Sequence, residues 1–244
     1  MGISNIKRFT HWVYQHAGEP YLAPLLWAEQ RTQKGPVNER VVEYGFALRV
    51  LSELGGVNRI LDVGSGNSPW PALLSYSGYK VTAIDHMRQA WGDDYWAKRA
   101  PFNRHFRVES KSIACPKYLP YGYDAITCIS TLEHIHPRMI ELAMLEMAWH
   151  LRVDGHLILT IPCTNKEYIK DVWRGSSKFF TQSFTLKQVD DWRRCYFDVI
   201  PHREYYIGYS GGAWGIGERY SPPMKTVNED EMNLGCFHYV KVGE

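Results

Sequence analysis

Two acidic residues and two glycines carry the most chemical information in this 244-residue chain. The stretch Ile60-Leu61-Asp62-Val63-Gly64-Ser65-Gly66-Asn67-Ser68 runs from an apolar segment into a glycine turn. Glycines at the end of a strand let the backbone take positive φ and lie close against a ligand. Asp85 closes the next apolar segment, Tyr79–Ile84, roughly twenty residues on, a spacing that suits a carboxylate gripping ribose hydroxyls. A dinucleotide fingerprint asks for a third glycine three residues after the second, and that position holds Pro69. Asp62, just before the first glycine, would repel a pyrophosphate but suits an ammonium or sulfonium. The expected ligand is therefore a nucleoside without phosphates.

A second group follows the apolar segment Tyr123–Ile129: Glu133, His134 and His136, with Pro137 opening a helical pattern. A histidine there is a candidate general base, because its ordinary pKa lies near neutrality. The competing reading is that Glu133 and His134 cap or pack the helix start. Magnesium would ask for a richer set of oxygen ligands, and no metal is expected. Two loops are candidates for contact with an acceptor. One follows the segment His156–Ile161 and carries Asn165, Lys166 and Tyr168, with Cys163 read as a packing residue. The other, residues 205–223, alternates aromatics with glycines, and Tyr209 and Trp214 are its candidate stacking faces.

These residues need elements to hold them. Val41, Tyr44, Leu48 and Leu51 recur at three- and four-residue spacing, which predicts a helix over 37–55 ended by Gly55-Gly56. Strands are expected at Arg59–Val63, Tyr79–Ile84, His105–Glu109, Tyr123–Ile129, His156–Ile161, Phe197–Ile207 and Cys236–Val242. Helices are expected at Pro69–Ser77, Pro137–Arg152 and Thr185–Arg194, the last with Thr185 as its N-cap. Such alternation predicts an α/β fold with a mostly parallel sheet and helices on both faces. The expected division is an N-terminal helical extension over 1–57 and a ligand-binding domain over 58–244.

The motifs resemble those of class I S-adenosylmethionine-dependent methyltransferases. Leu61-Asp62-Val63-Gly64-Ser65-Gly66 looks like their first motif. Tyr123-Asp124-Ala125-Ile126 through Leu132-Glu133-His134-Ile135 resembles their fourth-strand motif, and Trp149–Leu159 their helix, turn and fifth strand. The resemblance covers about residues 59–207, and it implies a Rossmann-like seven-stranded sheet whose last strand is antiparallel. It places Asp62 near the methionine amino group, Gly64 and Gly66 against the cofactor, Asp85 on the ribose and His86 beside the adenine. Ser112 and Ile113 would line the adenine pocket, with Glu109 as rival, and Ser130 would line the cofactor near the fourth strand. Ser68 stands where the family has a third glycine. Some relatives hold a metal with a Glu-x-x-Glu-His stretch, but the first Glu position is Ser130 here.

Composition narrows the partners. The net charge of +2 is too balanced to argue for a nucleic-acid or membrane surface. Five cysteines, odd in number and widely spaced, argue against a disulfide framework or zinc site. The N-terminus lacks a long apolar run, so a cytoplasmic protein without a membrane span is expected. The reading is methyl transfer from S-adenosylmethionine to a small molecule, at a hydroxyl of a sugar, glycan or natural-product intermediate. RNA or protein methylation, and a non-catalytic binding protein of the same fold, are the alternatives.

Overall fold

The computed structural model describes residues 39–66, 68–86, 105–164, 169–174, 177–197, 199–207, 225–226 and 234–241. The chain divides into two compact units, residues 1–111 with 208–224, and residues 112–207 with 225–244.

The first unit holds helix α1 (Glu39–Glu53), strand β1 (Arg59–Val63), helix α2 (Trp70–Tyr76) and strands β2 (Lys80–Ile84) and β3 (Phe106–Glu109). The three strands are parallel, in the order β3-β2-β1. Ile60, Leu61, Asp62 and Val63 are all buried, so β1 is covered on both faces, as parallel strands are. Helix α1 buries more than its expected apolar stripe. Tyr44, Phe46, Ala47, Leu48, Val50 and Leu51 are buried, and so is Glu43. The helix ends before Gly55-Gly56, and Gly56 takes φ +79°, a value that favours glycine.

The second unit holds strand β4 (Tyr123–Ile129), helix α3 (Ile140–His150), strand β5 (Leu151–Ile161), and a two-stranded ribbon of β6 (Ile169–Arg174) and β7 (Ser177–Gln182). Helix α4 (Leu186–Tyr196) and strands β8 (Val199–Ile207), β9 (Lys225–Thr226) and β10 (Leu234–Lys241) complete it. Its main strands run in the order β4-β5-β10-β8-β9. Strand β10 is antiparallel to both neighbours, as expected of the last strand. The seven expected strands are all present; the two-residue β9 and the antiparallel ribbon are additional. Thr185 caps α4 through a reciprocal box: its hydroxyl accepts from the Gln188 N–H, and the Gln188 side chain accepts from the Thr185 N–H at 2.8 Å.

Strand β5 begins five residues earlier than expected. Tyr123 pairs with Leu151, pairing breaks, and it resumes at Ala125 with His156. The intervening turn, where Asp154 takes φ +56°, bulges out of the strand. Arg152 Nε donates to Asp124 Oδ1 at 2.7 Å and ties the bulge to β4. The helix expected from Pro137 starts as a single 3-10 turn at Pro137–Met139 and becomes α-helical at Ile140.

Two histidines in this unit, the buried His150 and the half-buried His156, have surroundings that oppose protonation. His150 lies edge-on to Tyr121, with ring centroids 4.6 Å apart. Burial and the nearby Lys241 ammonium push its pKa down to about 4. His156 Nδ1 and His238 Nε2 are 3.0 Å apart, so one ring must accept the hydrogen bond and stay neutral. Burial and Arg152 lower the His156 pKa against the opposing pull of Asp154 and Asp124. An unfolded chain takes up the His150 proton near pH 6.5, the folded one only near pH 4. His150 thus contributes stability that is full above pH 6.5 and is lost as the pH falls toward 4, by roughly 3 kcal/mol. Urea unfolding of the wild type and of His150→Phe at pH 7 and pH 4 checks this. The stability difference between the two should change by roughly 3 kcal/mol, to the wild type's disadvantage in acid.

Candidate functional site

The first unit builds a clasped loop between β1 and α2. Gly64 takes φ +72° and Gly66 φ +49°, so both glycines are required by the path of the backbone. The N–H groups of Gly64 and Ser65 both donate to the carbonyl of Ile84, at 2.8 and 3.1 Å. The Gly66 N–H donates to Asp85 Oδ2 at 2.8 Å. A backbone amide bonded to an ionised carboxylate is among the stronger neutral-to-charged hydrogen bonds. The loop is therefore drawn onto the end of β2, and Asp85 is held where the strand stops. Asp85 and Asp62 are both buried, whereas His86, the next residue along, is exposed.

The other end of the loop is also tied. Ser68 N–H turns back to the Ser65 carbonyl at 2.9 Å. Ser68 Oγ accepts from the Trp70 N–H at 3.1 Å and shares a 2.5 Å hydrogen bond with the Tyr44 hydroxyl. Tyr44 stacks on Trp70 with centroids 5.0 Å apart and planes within 10°. Both rings are buried. Two consequences bear on the ligand. Pro69 has no N–H, and the Trp70 N–H is already given to Ser68, so the start of α2 offers little to a phosphate. In contrast, a side chain added at Gly66 would meet no atom of the described residues within 4 Å, its chain neighbours aside. Among the described residues the space before Gly66 is open, as a nucleoside lying against the backbone requires. Asp85 stands next to it with a carboxylate of the kind that binds vicinal hydroxyls. The residues present thus fit the adenosyl part of S-adenosylmethionine better than a dinucleotide.

The second unit carries the remaining candidates. Ser130 directly follows β4 and takes φ +44°; its N–H reaches both the carbonyl and the hydroxyl of Thr160, each at 3.1 Å. Leu132–His134 form one 3-10 turn. Glu133 in it is buried and His134 is exposed, so the two adjacent residues differ in what they can meet. The Gln182 side-chain amide donates to the Ile135 carbonyl at 2.8 Å, so the ribbon braces this segment. His136 is exposed, and its Nδ1 accepts from the Arg138 N–H at 3.3 Å, capping the Pro137 turn. Ser112 and Ile113 lie before β4. Ser112 Oγ accepts from the Ala114 N–H at 3.2 Å, and Ile113 is buried. In the first unit the rival Glu109 pairs with Lys111 at 2.8 Å.

The structure therefore brings Gly64, Gly66 and Asp85 together, and sets Ser130, Glu133 and His134 along one short segment. Asn165, Tyr209 and Trp214 lie outside the described residues, as does most of the aromatic loop. Among the described residues no three His, Cys, Asp or Glu side chains gather as a metal site would require, and no helix is long and apolar enough to cross a membrane. Two contributors were not singled out from the sequence for the site. Tyr44 showed itself only as one apolar position of a helix, and Gln182 gave no signal.

The fold is similar to that of several solved structures. The chain resembles the 1,6-didemethyltoxoflavin-N1-methyltransferase of Burkholderia thailandensis, determined with 1,6-didemethyltoxoflavin and S-adenosylhomocysteine bound. That match has a TM-score of 0.59 at 14% identity, covering 98% of this chain and 89% of that one. An S-adenosylmethionine-dependent methyltransferase of Methanosarcina mazei matches with a TM-score of 0.60 at 15% identity, over 80% of this chain and 98% of that one. The glycopeptide N-methyltransferase MtfA, determined with S-adenosylmethionine, matches with a TM-score of 0.56 at 12% identity, over 80% and 92%. These likenesses show a Rossmann-like α/β fold. No curated protein sequence matches the chain. The profile of the Methyltransf_23 family, described as a methyltransferase domain, matches residues 27–199, a span that takes in α1 and runs through α4. The chain belongs to this family of methyltransferase domains.

Proposed function

We propose that the chain uses S-adenosylmethionine to methylate a small-molecule acceptor, at a hydroxyl of a sugar, glycan or natural-product intermediate. The observation that carries the cofactor is the Gly64–Gly66 loop clasped by Asp85, with open space before Gly66. Asp85 would hold the ribose, Gly64 and Gly66 would lie against the cofactor, and Asp62 would meet the methionine amino group. When bound, S-adenosylmethionine supplies a methyl group on a positively charged sulfur, already a good leaving group. What is left to the protein is to align the acceptor and take its proton.

His134 is the candidate for that proton. It is exposed, and it sits on a turn braced by Gln182. Its imidazole would take the proton of the acceptor hydroxyl. His136 is less suited, because its Nδ1 already serves as a cap acceptor. Glu133 is buried, which favours a role in shaping the turn over contact with an acceptor.

The acceptor class is tested by methyl-labelling from S-adenosylmethionine, using separate panels of saccharides, phenolic natural products, small amines, RNA and protein. Label in hydroxyl-bearing small molecules is expected. Label confined to amines would replace oxygen by nitrogen as the target, and salt-sensitive labelling of RNA would favour the nucleic-acid reading. With the acceptor in hand, His134→Ala should lower kcat by about 10²-fold or more and leave S-adenosylmethionine affinity within twofold. An unchanged kcat would return His134 to a structural role. Asp85→Ala should raise the S-adenosylmethionine Kd by at least about 30-fold, since it removes both the ribose ligand and the loop clasp. A Kd unchanged in that variant would move the site elsewhere.

A further inference from the structure

We propose that Tyr44 is a positioning residue for the cofactor: through Ser68 it fixes the far end of the glycine loop. The inference rests on the reading that this loop holds S-adenosylmethionine, and goes beyond it to the helix before the loop.

Ser68 stands where the family carries a third glycine, and the structure shows what the serine does there. Its hydroxyl meets two groups at once, the Trp70 N–H at 3.1 Å and the Tyr44 hydroxyl at 2.5 Å. Tyr44 is a rigid anchor. It lies within α1, is 1% exposed, and is stacked on Trp70. A buried tyrosine hydroxyl needs a hydrogen-bond partner, and this one is aimed at the loop. The near end of the loop is held separately, by Ile84 and Asp85. The loop is thus a span fixed at two ends by two different elements, β2 and α1. Removing the Tyr44 hydroxyl leaves the far end with its local bonds alone. The cofactor must then order that end itself, and ordering lowers affinity without removing any direct contact. A serine in this position is therefore no sign of a decayed motif. It exchanges the freedom of a glycine for a tether.

The test is a double-mutant cycle on cofactor affinity, read by calorimetry at a temperature where every variant is folded. Tyr44→Phe keeps the ring, its stacking and its burial, and removes only the hydroxyl. Ser68→Ala removes the other partner. Tyr44→Phe should raise the Kd for S-adenosylmethionine and for S-adenosylhomocysteine by about 5- to 10-fold, the effect of one hydrogen bond of this kind, and Ser68→Ala, which also takes the acceptor from the Trp70 N–H, by at least as much. The double variant should be no weaker than the weaker single one, because the two changes cut the same link. A merely structural role would lower the melting temperature and leave the Kd unmoved, or give effects that multiply in the double variant. Either result overturns the proposal. Asp85→Ala in the same series separates this from failure of the site itself. If Asp85→Ala abolishes binding while Tyr44→Phe leaves it within twofold, the tether alone is wrong. If Asp85→Ala also binds normally, the loop is not the cofactor site.

Discussion

The hydrogen bond from the Gly66 N–H to the Asp85 carboxylate, 2.8 Å long, is the interaction on which the shape of the glycine loop depends. It joins residues nineteen apart in sequence and fixes the glycine turn against the end of a neighbouring strand. The bond is possible because β1 and β2 pair in parallel with Val63 opposite Ile84, which brings both strands to an end at the same level. Open α/β sheets bind ligands at this end of their strands, where the loops leave the sheet. Asp85 thus serves two ends at once: it shapes the loop, and it presents a carboxylate beside the open space at Gly66. Ser68, Pro69 and Trp70 finish the argument by leaving the start of α2 with few donors for a phosphate.

In the second unit the antiparallel β10 is inserted between β5 and β8, and polar side chains help to secure it. Lys241 Nζ donates to the Leu151 carbonyl at 3.0 Å, and His238 meets His156. Gly235 has a different reason. A side chain there would come within 2.5 Å of the Phe237 ring and 3.0 Å of Cys163. Glycine is what lets β10 pass the residues that follow β5. The Thr160 contacts of Ser130 and the Gln182 brace on Ile135 help to set the segment bearing Glu133, His134 and His136.

What could be read from the sequence follows the range of the interactions. The glycine turn and the place of Asp85 at the end of β2 were legible because strand-turn-helix followed by strand and acid is a short, local pattern. The Thr185 cap was legible for the same reason: the box is three residues long. The early start of β5 was not. Asp154-Gly155 reads as a turn, and only the pairing of Leu151 with Tyr123 shows that the strand continues through it. The ribbon was missed because Ile169–Arg174 and Ser177–Gln182 do not alternate cleanly, and their pairing is with each other. Periodicity placed Tyr44 on an apolar face of α1, but its hydroxyl acts on a residue twenty-four positions away. Gln182 reaches forty-seven positions back. Such contacts are products of the fold and leave no local mark.

The central claim is that the Gly64–Ser68 loop with Asp85 is a site for an adenosyl compound without phosphates. Titration of the purified protein with S-adenosylmethionine, S-adenosylhomocysteine and NAD by calorimetry tests it most directly. Saturable binding of both adenosyl compounds and none of NAD is expected. No binding of either adenosyl compound, or binding of NAD as strong as theirs, would contradict it.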